Sequence, residues 1–120
     1  MRKSLLTGVL ILFSQAVWSH AILVEAEPGD NQHLAKPPKQ IKLRFDAAIG
    51  KRYLALAVID KDRHRVDAGD ASRDFLDPSI VTATLASPLR PGEYLVRYRV
   101  QSADGHIVTG RYRFIVGEQP

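Results

Sequence analysis

Period-two alternation of apolar and charged residues constrains this chain more than any other feature. Tyr94, Val96, Tyr98 and Val100 stand opposite Leu95, Arg97 and Arg99. Tyr112, Phe114 and Val116 alternate with Arg111 and Arg113, and Ile41, Leu43 and Phe45 with Lys42 and Arg44. Successive side chains of an extended strand point to opposite faces. Each run therefore lays one apolar face on a core and one charged face in water. No comparable helical pattern follows residue 20.

Other segments complete an all-β chain. Ala21–Glu25 reads as a first short strand, followed by the dense turn cluster Glu27-Pro28-Gly29-Asp30-Asn31. Lys36-Pro37-Pro38 introduces the strand that contains Ile41. Tyr53–Ile59 is apolar at nearly every position and reads as a central strand, and Asp60–Arg65 as a charged turn. Ile80–Leu85 alternates again, and Pro88–Gly92 turns the chain into Tyr94. Val66–Pro78, with four aspartates, reads as a long loop with at most one helical turn. Short strands at this spacing, separated by Pro and Gly, imply two antiparallel sheets packed face to face. No internal repeat or low-complexity tract is visible.

The first residues have a different character. Arg2 and Lys3 precede Leu5–Val17, which carries no charge, and Val17-Trp18-Ser19 supplies a small-residue cut site. That order reads as a signal peptide over residues 1–19 and a mature domain over residues 20–120. Cleavage after Ala21 is the alternative. Removing 19 of the 120 residues leaves 101, enough for one small domain. The apolar stretch is shorter than the ~20 residues of a membrane span, so the mature chain is expected to be soluble and exported from the cytoplasm. Arg2 and Lys3 also account for two of the four net positive charges, leaving too small a surplus to point to nucleic acid. The chain has no cysteine, and its one methionine is Met1. Disulfides and thiolate or thioether metal sites in the mature chain are thereby excluded.

Cleavage after Ser19 would expose His20 as an N-terminal histidine. Its free amine and ring Nδ1 can then grip one metal ion as a chelate, which a histidine inside a chain cannot do. Far along the chain, Ser102-Ala103-Asp104-Gly105-His106 separates the last two alternating runs. In an extended segment Asp104 and His106, two apart, would point to the same side. Gly105 between them adds no bulk and accepts unusual dihedrals. An amine, two imidazoles and a carboxylate make a set of three nitrogens and one oxygen, which suits a tetragonal copper(II) site. The plainer alternative is that Asp-Gly is simply a turn dipeptide. His33 and His64 read as exposed turn residues. Glu25 and Glu27 read as a solvated face, with Glu27 a candidate to support a ligand. Arg44, Arg97, Arg99, Arg111 and Arg113 read as sharing one strand face, with a partner or an anionic lipid surface as the sharper alternative.

These residues resemble the CopC family of periplasmic copper-binding and copper resistance proteins across essentially the whole mature region. The matching features are His20 directly after the signal, the Glu27-Pro28 turn, Ile41-Lys42-Leu43-Arg44-Phe45, Ser87-Pro88-Leu89 with Gly92-Glu93-Tyr94, and Tyr98-Arg99-Val100 followed by Ser102-Ala103-Asp104-Gly105-His106 and Thr109-Gly110. The Asp-x-His block is the specific part. The resemblance implies an immunoglobulin-like Greek-key β-sandwich of about seven strands, with copper(II) held by His20, Asp104 and His106. It implies a carrier or buffer in copper homeostasis or resistance, not an enzyme. The implied partners are an inner-membrane copper transporter of the CopD kind or a periplasmic multicopper oxidase. Some family members carry a second, copper(I) site in a methionine-rich loop. The corresponding stretch here, Val58 to Phe75, has no methionine. A histidine-brace copper monooxygenase and a metal-free immunoglobulin-like interaction module are the alternative functions.

Overall fold

The longest element is a hairpin. β7 (Gly92–Gln101) pairs with β8 (Ile107–Val116) over ten antiparallel rungs, from Gly92 opposite Val116 to Gln101 opposite Ile107, in a computed structural model that describes residues 21–86 and 88–117. The expected signal peptide and His20 lie outside the described residues. Ahead of the hairpin come β1 (Leu23–Glu27), β2 (His33–Leu34), β3 (Gln40–Phe45), β4 (Ala55–Ile59), β5 (Ser72–Arg73) and β6 (Ile80–Thr84). They assemble two four-stranded sheets, ordered β1-β3-β6-β5 and β2-β8-β7-β4. All pairings are antiparallel except β2 with β8, where His33 stands opposite Ile115.

The all-β sandwich expected from the alternation is therefore present. It has eight strands where about seven were expected, because two-residue strands at β2 and β5 close one edge of each sheet. The long Val66–Pro78 stretch contains β5 and no helix. Its aspartates instead cap turns: Asp74 accepts from the Leu76 and Asp77 N–H groups, and Asp77 from that of Ser79.

One element differs in position. Tyr53–Ile59 was expected to be a central strand, whereas β4 begins at Ala55 and forms the edge of its sheet. Tyr53 lies before it with φ of 59° and is largely exposed. Leu56 and Val58 point inward, while Ala55 and Ala57 face outward. Alanine is apolar by class, but its single methyl costs little in water. The run therefore looks two-sided without being buried on both sides.

The core is built from the inward residues of both sheets. Ile41, Leu43 and Phe45 of β3 and Val81 and Ala83 of β6 meet Val58, Val96, Val100 and Phe114. Two aromatic pairs pack in it: Tyr94 stacks at 5.4 Å on Phe114, its neighbour across the β7–β8 ladder, and Phe45 of one sheet meets the edge of Tyr98 of the other at 5.5 Å. Phe114 is fully buried between the sheets, whereas Phe75 is 98% exposed on a loop. Phe114→Ala is expected to cost about 3–5 kcal/mol of stability, through lost transfer energy and the cavity left behind. Phe75→Ala should stay within about 0.5 kcal/mol of the parent. Urea unfolding of both variants checks the contrast.

Candidate metal centre

The β7–β8 connection is a tight turn closed by backbone hydrogen bonds. The Gly105 N–H donates to Ser102 O at 2.9 Å, and the Ser102 N–H to His106 O at 2.9 Å. Gly105 has φ of 91°, where a side chain would be strained, and so the position calls for glycine. A turn followed by a residue in the left-handed region commonly joins two antiparallel strands. The Gln101 side-chain amide adds a bond to Gly105 O at 3.2 Å.

The turn also brings the two candidate ligands together. His106 Nδ1 is 3.0 Å from Asp104 Oδ2, and the His106 N–H donates to Asp104 Oδ1 at 3.3 Å. An extended segment was expected to do this; the turn does it instead. Ser102 anchors the pair: it is 2% exposed, and its hydroxyl donates to Asp104 Oδ1. That hydroxyl is the main reason the Asp104 carboxyl is held below its ordinary range, with the His106 N–H and imidazole acting in the same direction. Two metal–ligand bonds of ~2 Å at a right angle separate their donors by about 3 Å. The Asp104–His106 spacing is therefore compatible with adjacent positions on one ion.

The start of the described chain lies at the same end of the sandwich. The Ile22 N–H donates to Asp46 Oδ1 at 2.7 Å, and the Asp46 N–H returns a bond to Ile22 O at 2.9 Å. Three residues further on, Ile49 bridges to Ser102, and the Gly50 N–H donates to Gln101 O at 2.7 Å. The stretch joining Asp46 to Ile49 can span at most about 10 Å. Ala21 is 1% exposed and belongs to the core.

Other candidate residues fall elsewhere. Glu25 forms an ion pair with Arg44 at 2.8 Å on the outside of the first sheet, which lowers its carboxyl pKa. Glu27 stands at the far end of β1 from Ile22. His33 is exposed on β2. Asp60, Asp62 and His64 form a group that sequence reading missed, with ligand atoms within 4.8 Å of one another. The signal was the i, i+2, i+4 spacing within a charged turn. Asp60 Oδ1 accepts from the Asp62 and His64 N–H groups, both at 2.9 Å, so this carboxylate caps its own turn. The five arginines expected on one face are divided. Arg44 lies on the first sheet, while Arg97, Arg99, Arg111 and Arg113 lie on the outer face of the second.

A sandwich of two four-stranded sheets, with a hairpin turn that joins an aspartate and a histidine at the end where Ile22 bonds Asp46, places the protein among small all-β domains. Within that class, the CopC domain family matches residues 23–117, and the chain belongs to it. YobA of Escherichia coli K12 is 28% identical over 116 residues, covering 97% of this chain and 94% of that protein. The crystal structure of CopC from Methylosinus trichosporium OB3b superposes with a TM-score of 0.75 at 35% identity, covering 84% of this chain and 99% of that one. PcoC, described as a methionine-rich copper resistance protein from Escherichia coli, superposes with a TM-score of 0.70 at 25% identity, covering 82% and 99%.

The Ser102 hydroxyl bonds best to the ionised form of Asp104, and such a bond lowers a carboxyl pKa. Ser102→Ala is therefore expected to raise the Asp104 pKa toward the ordinary carboxylate range. A carbon-detected NMR titration of the Asp104 side chain reads this directly. An unchanged midpoint would assign the anchoring to the His106 groups instead.

Proposed function

We propose that this CopC-family protein works in copper handling by binding copper(II) at the chain-start end of the sandwich, through His20, Asp104 and His106. The observation that carries the reading is the 3.0 Å approach of His106 Nδ1 to Asp104 Oδ2, in a turn bridged through Ile49 to the strand that pairs with the chain start. Residues 1–19 act as the export signal, and the domain over residues 20–120 works in the periplasm. The free amine and imidazole of His20 chelate the ion from one side. Asp104 and His106 complete the set from the other. Among the described residues no helix is long and apolar enough to cross a membrane.

The role is capture and release, not catalysis, with delivery to an inner-membrane copper transporter or a multicopper oxidase. A copper(I) site of the methionine-rich kind does not belong to this reading. PcoC is described as methionine-rich, whereas the one methionine here is Met1. The stretch from Val58 to Phe75 offers carboxylates and one histidine, and soft thioether donors suit copper(I) better than hard oxygens do.

All ligands must be deprotonated to bind. The reference pKa of an α-amine is ~7.7–8.0 and that of histidine ~6.5. Affinity is therefore expected to fall as pH drops through these ranges, while Asp104, with its lowered pKa, stays ionised. Retaining Ser19 ahead of His20 should weaken copper(II) binding by at least about tenfold, roughly 1.4 kcal/mol. It should also reduce the number of coordinated nitrogens seen by electron paramagnetic resonance and shrink the copper-induced rise in melting temperature. Undiminished affinity in the extended protein would rule out the chelate.

A further inference from the structure

The outer face of the β4-β7-β8 sheet carries three arginines that no described residue neutralises. Arg44 pairs with Glu25 and Arg113 with Glu93, both at 2.8 Å. Arg97, Arg99 and Arg111 make no ion pair or hydrogen bond among the described residues. They are close neighbours, because Arg97 stands directly opposite Arg111, and Arg99 is the next outward residue along β7. Ala57 faces Arg97 and Ala55 faces Arg99 across the β4–β7 ladder. With side chains this small beside them, the guanidinium groups border a shallow trough of about 600 Å³ that includes Thr109.

We propose that this face docks on an anionic lipid bilayer. Three observations favour a membrane over an acidic protein. First, the face has one sign of charge: Glu93 is the one carboxylate on β4, β7 and β8, and Arg113 already neutralises it. Protein interfaces usually mix both signs, whereas a bilayer of phosphate headgroups presents one. Second, by strand alternation Ile59, Leu95 and Ile115, each half-buried, continue the face beyond the cations beside the mutually neutralised Arg113–Glu93 pair. A cationic and aliphatic surface suits the headgroup boundary. Third, the turn leading into β4 places Lys51, Arg52 and the exposed Tyr53 beside the Arg99 end. Tyrosine is enriched where membrane meets water. The face lies on the same hairpin as the Asp104–His106 turn, so docking would hold that turn at a fixed height above the bilayer.

The test uses the exported protein and sedimentation with phosphatidylcholine vesicles, with and without phosphatidylglycerol. Binding is expected with the anionic lipid alone and should be lost as salt rises. Each cation near an anionic surface contributes roughly a fivefold factor, so Arg97→Gln with Arg111→Gln should weaken partitioning about 30-fold. The charge-matched control, Lys42→Gln with Arg44→Gln on β3 of the other sheet, should bind nearly as well as the parent. Arginine modification by phenylglyoxal gives a readout on the unaltered protein: anionic vesicles should protect Arg97, Arg99 and Arg111 but not Arg44. Equal losses in the two double variants, or no vesicle binding at low salt, would overturn the proposal. Retention on immobilised poly-aspartate without vesicle binding would overturn it in favour of an acidic protein partner. None of these readouts involves copper, so the outcome is independent of the metal site.

Discussion

The register of the β7–β8 ladder is the constraint on which the rest of the molecule depends. Side chains alternate strictly along a strand, so a slip of one residue would exchange the two faces of β7 relative to its partners. Arg97 and Arg99 would turn inward, and Val96 and Val100 would meet water. Burying unpaired guanidinium groups is far more costly than any neighbouring contact is favourable. The stacked Tyr94–Phe114 pair, the outward arginines and the position of the connecting turn therefore follow from one register.

That register also determines what the turn can do. With Gln101 opposite Ile107, five residues remain to reverse the chain, and Gly105 takes the left-handed conformation that closes the loop. The bonds from Gly105 to Ser102 and from Ser102 to His106 leave Asp104 and His106 little choice of separation. Ser102 links this loop to the core: it is buried, it bridges to Ile49, and its hydroxyl holds Asp104. A carboxylate restrained in this way loses less entropy on binding an ion than a mobile one.

The parts of this arrangement that sequence makes legible are those governed by local periodicity. β3, β7 and β8 each carry large apolar residues at alternate positions and charges between them, and the observed burial follows that pattern. β4 was less legible, since Ala55 and Ala57 are apolar yet face water at an edge. Edge or centre is decided by pairing with distant strands, which spacing alone does not encode. The five arginines show the same limit, because their positions say that they face outward but not which sheet face they share. Sequence also groups Asp104 with His106 correctly while misjudging how they meet. Asp-Gly as a turn signal and Asp-x-His as a ligand pair are rival readings of the sequence, yet the turn itself unites the two side chains. His20, the proposed third ligand, lies outside the described residues, and the proposal leans on the position of Ile22 beside Asp46.

One hairpin thus combines three surfaces with different physical demands. Its inner face needs large apolar groups, its turn needs a glycine and a restrained carboxylate, and its outer face is open to variation. Outward strand positions contribute little to folding, so the clustering of Arg97, Arg99 and Arg111 without acidic partners is not a requirement of the sandwich. Mutual repulsion makes such a cluster slightly unfavourable in the isolated protein. The neighbouring Arg113–Glu93 pair shows that the same sheet face readily accommodates a neutralising carboxylate. A cluster that the fold does not need, and that no described carboxylate balances, fits the proposed docking, in which the negative charge is supplied from outside the chain.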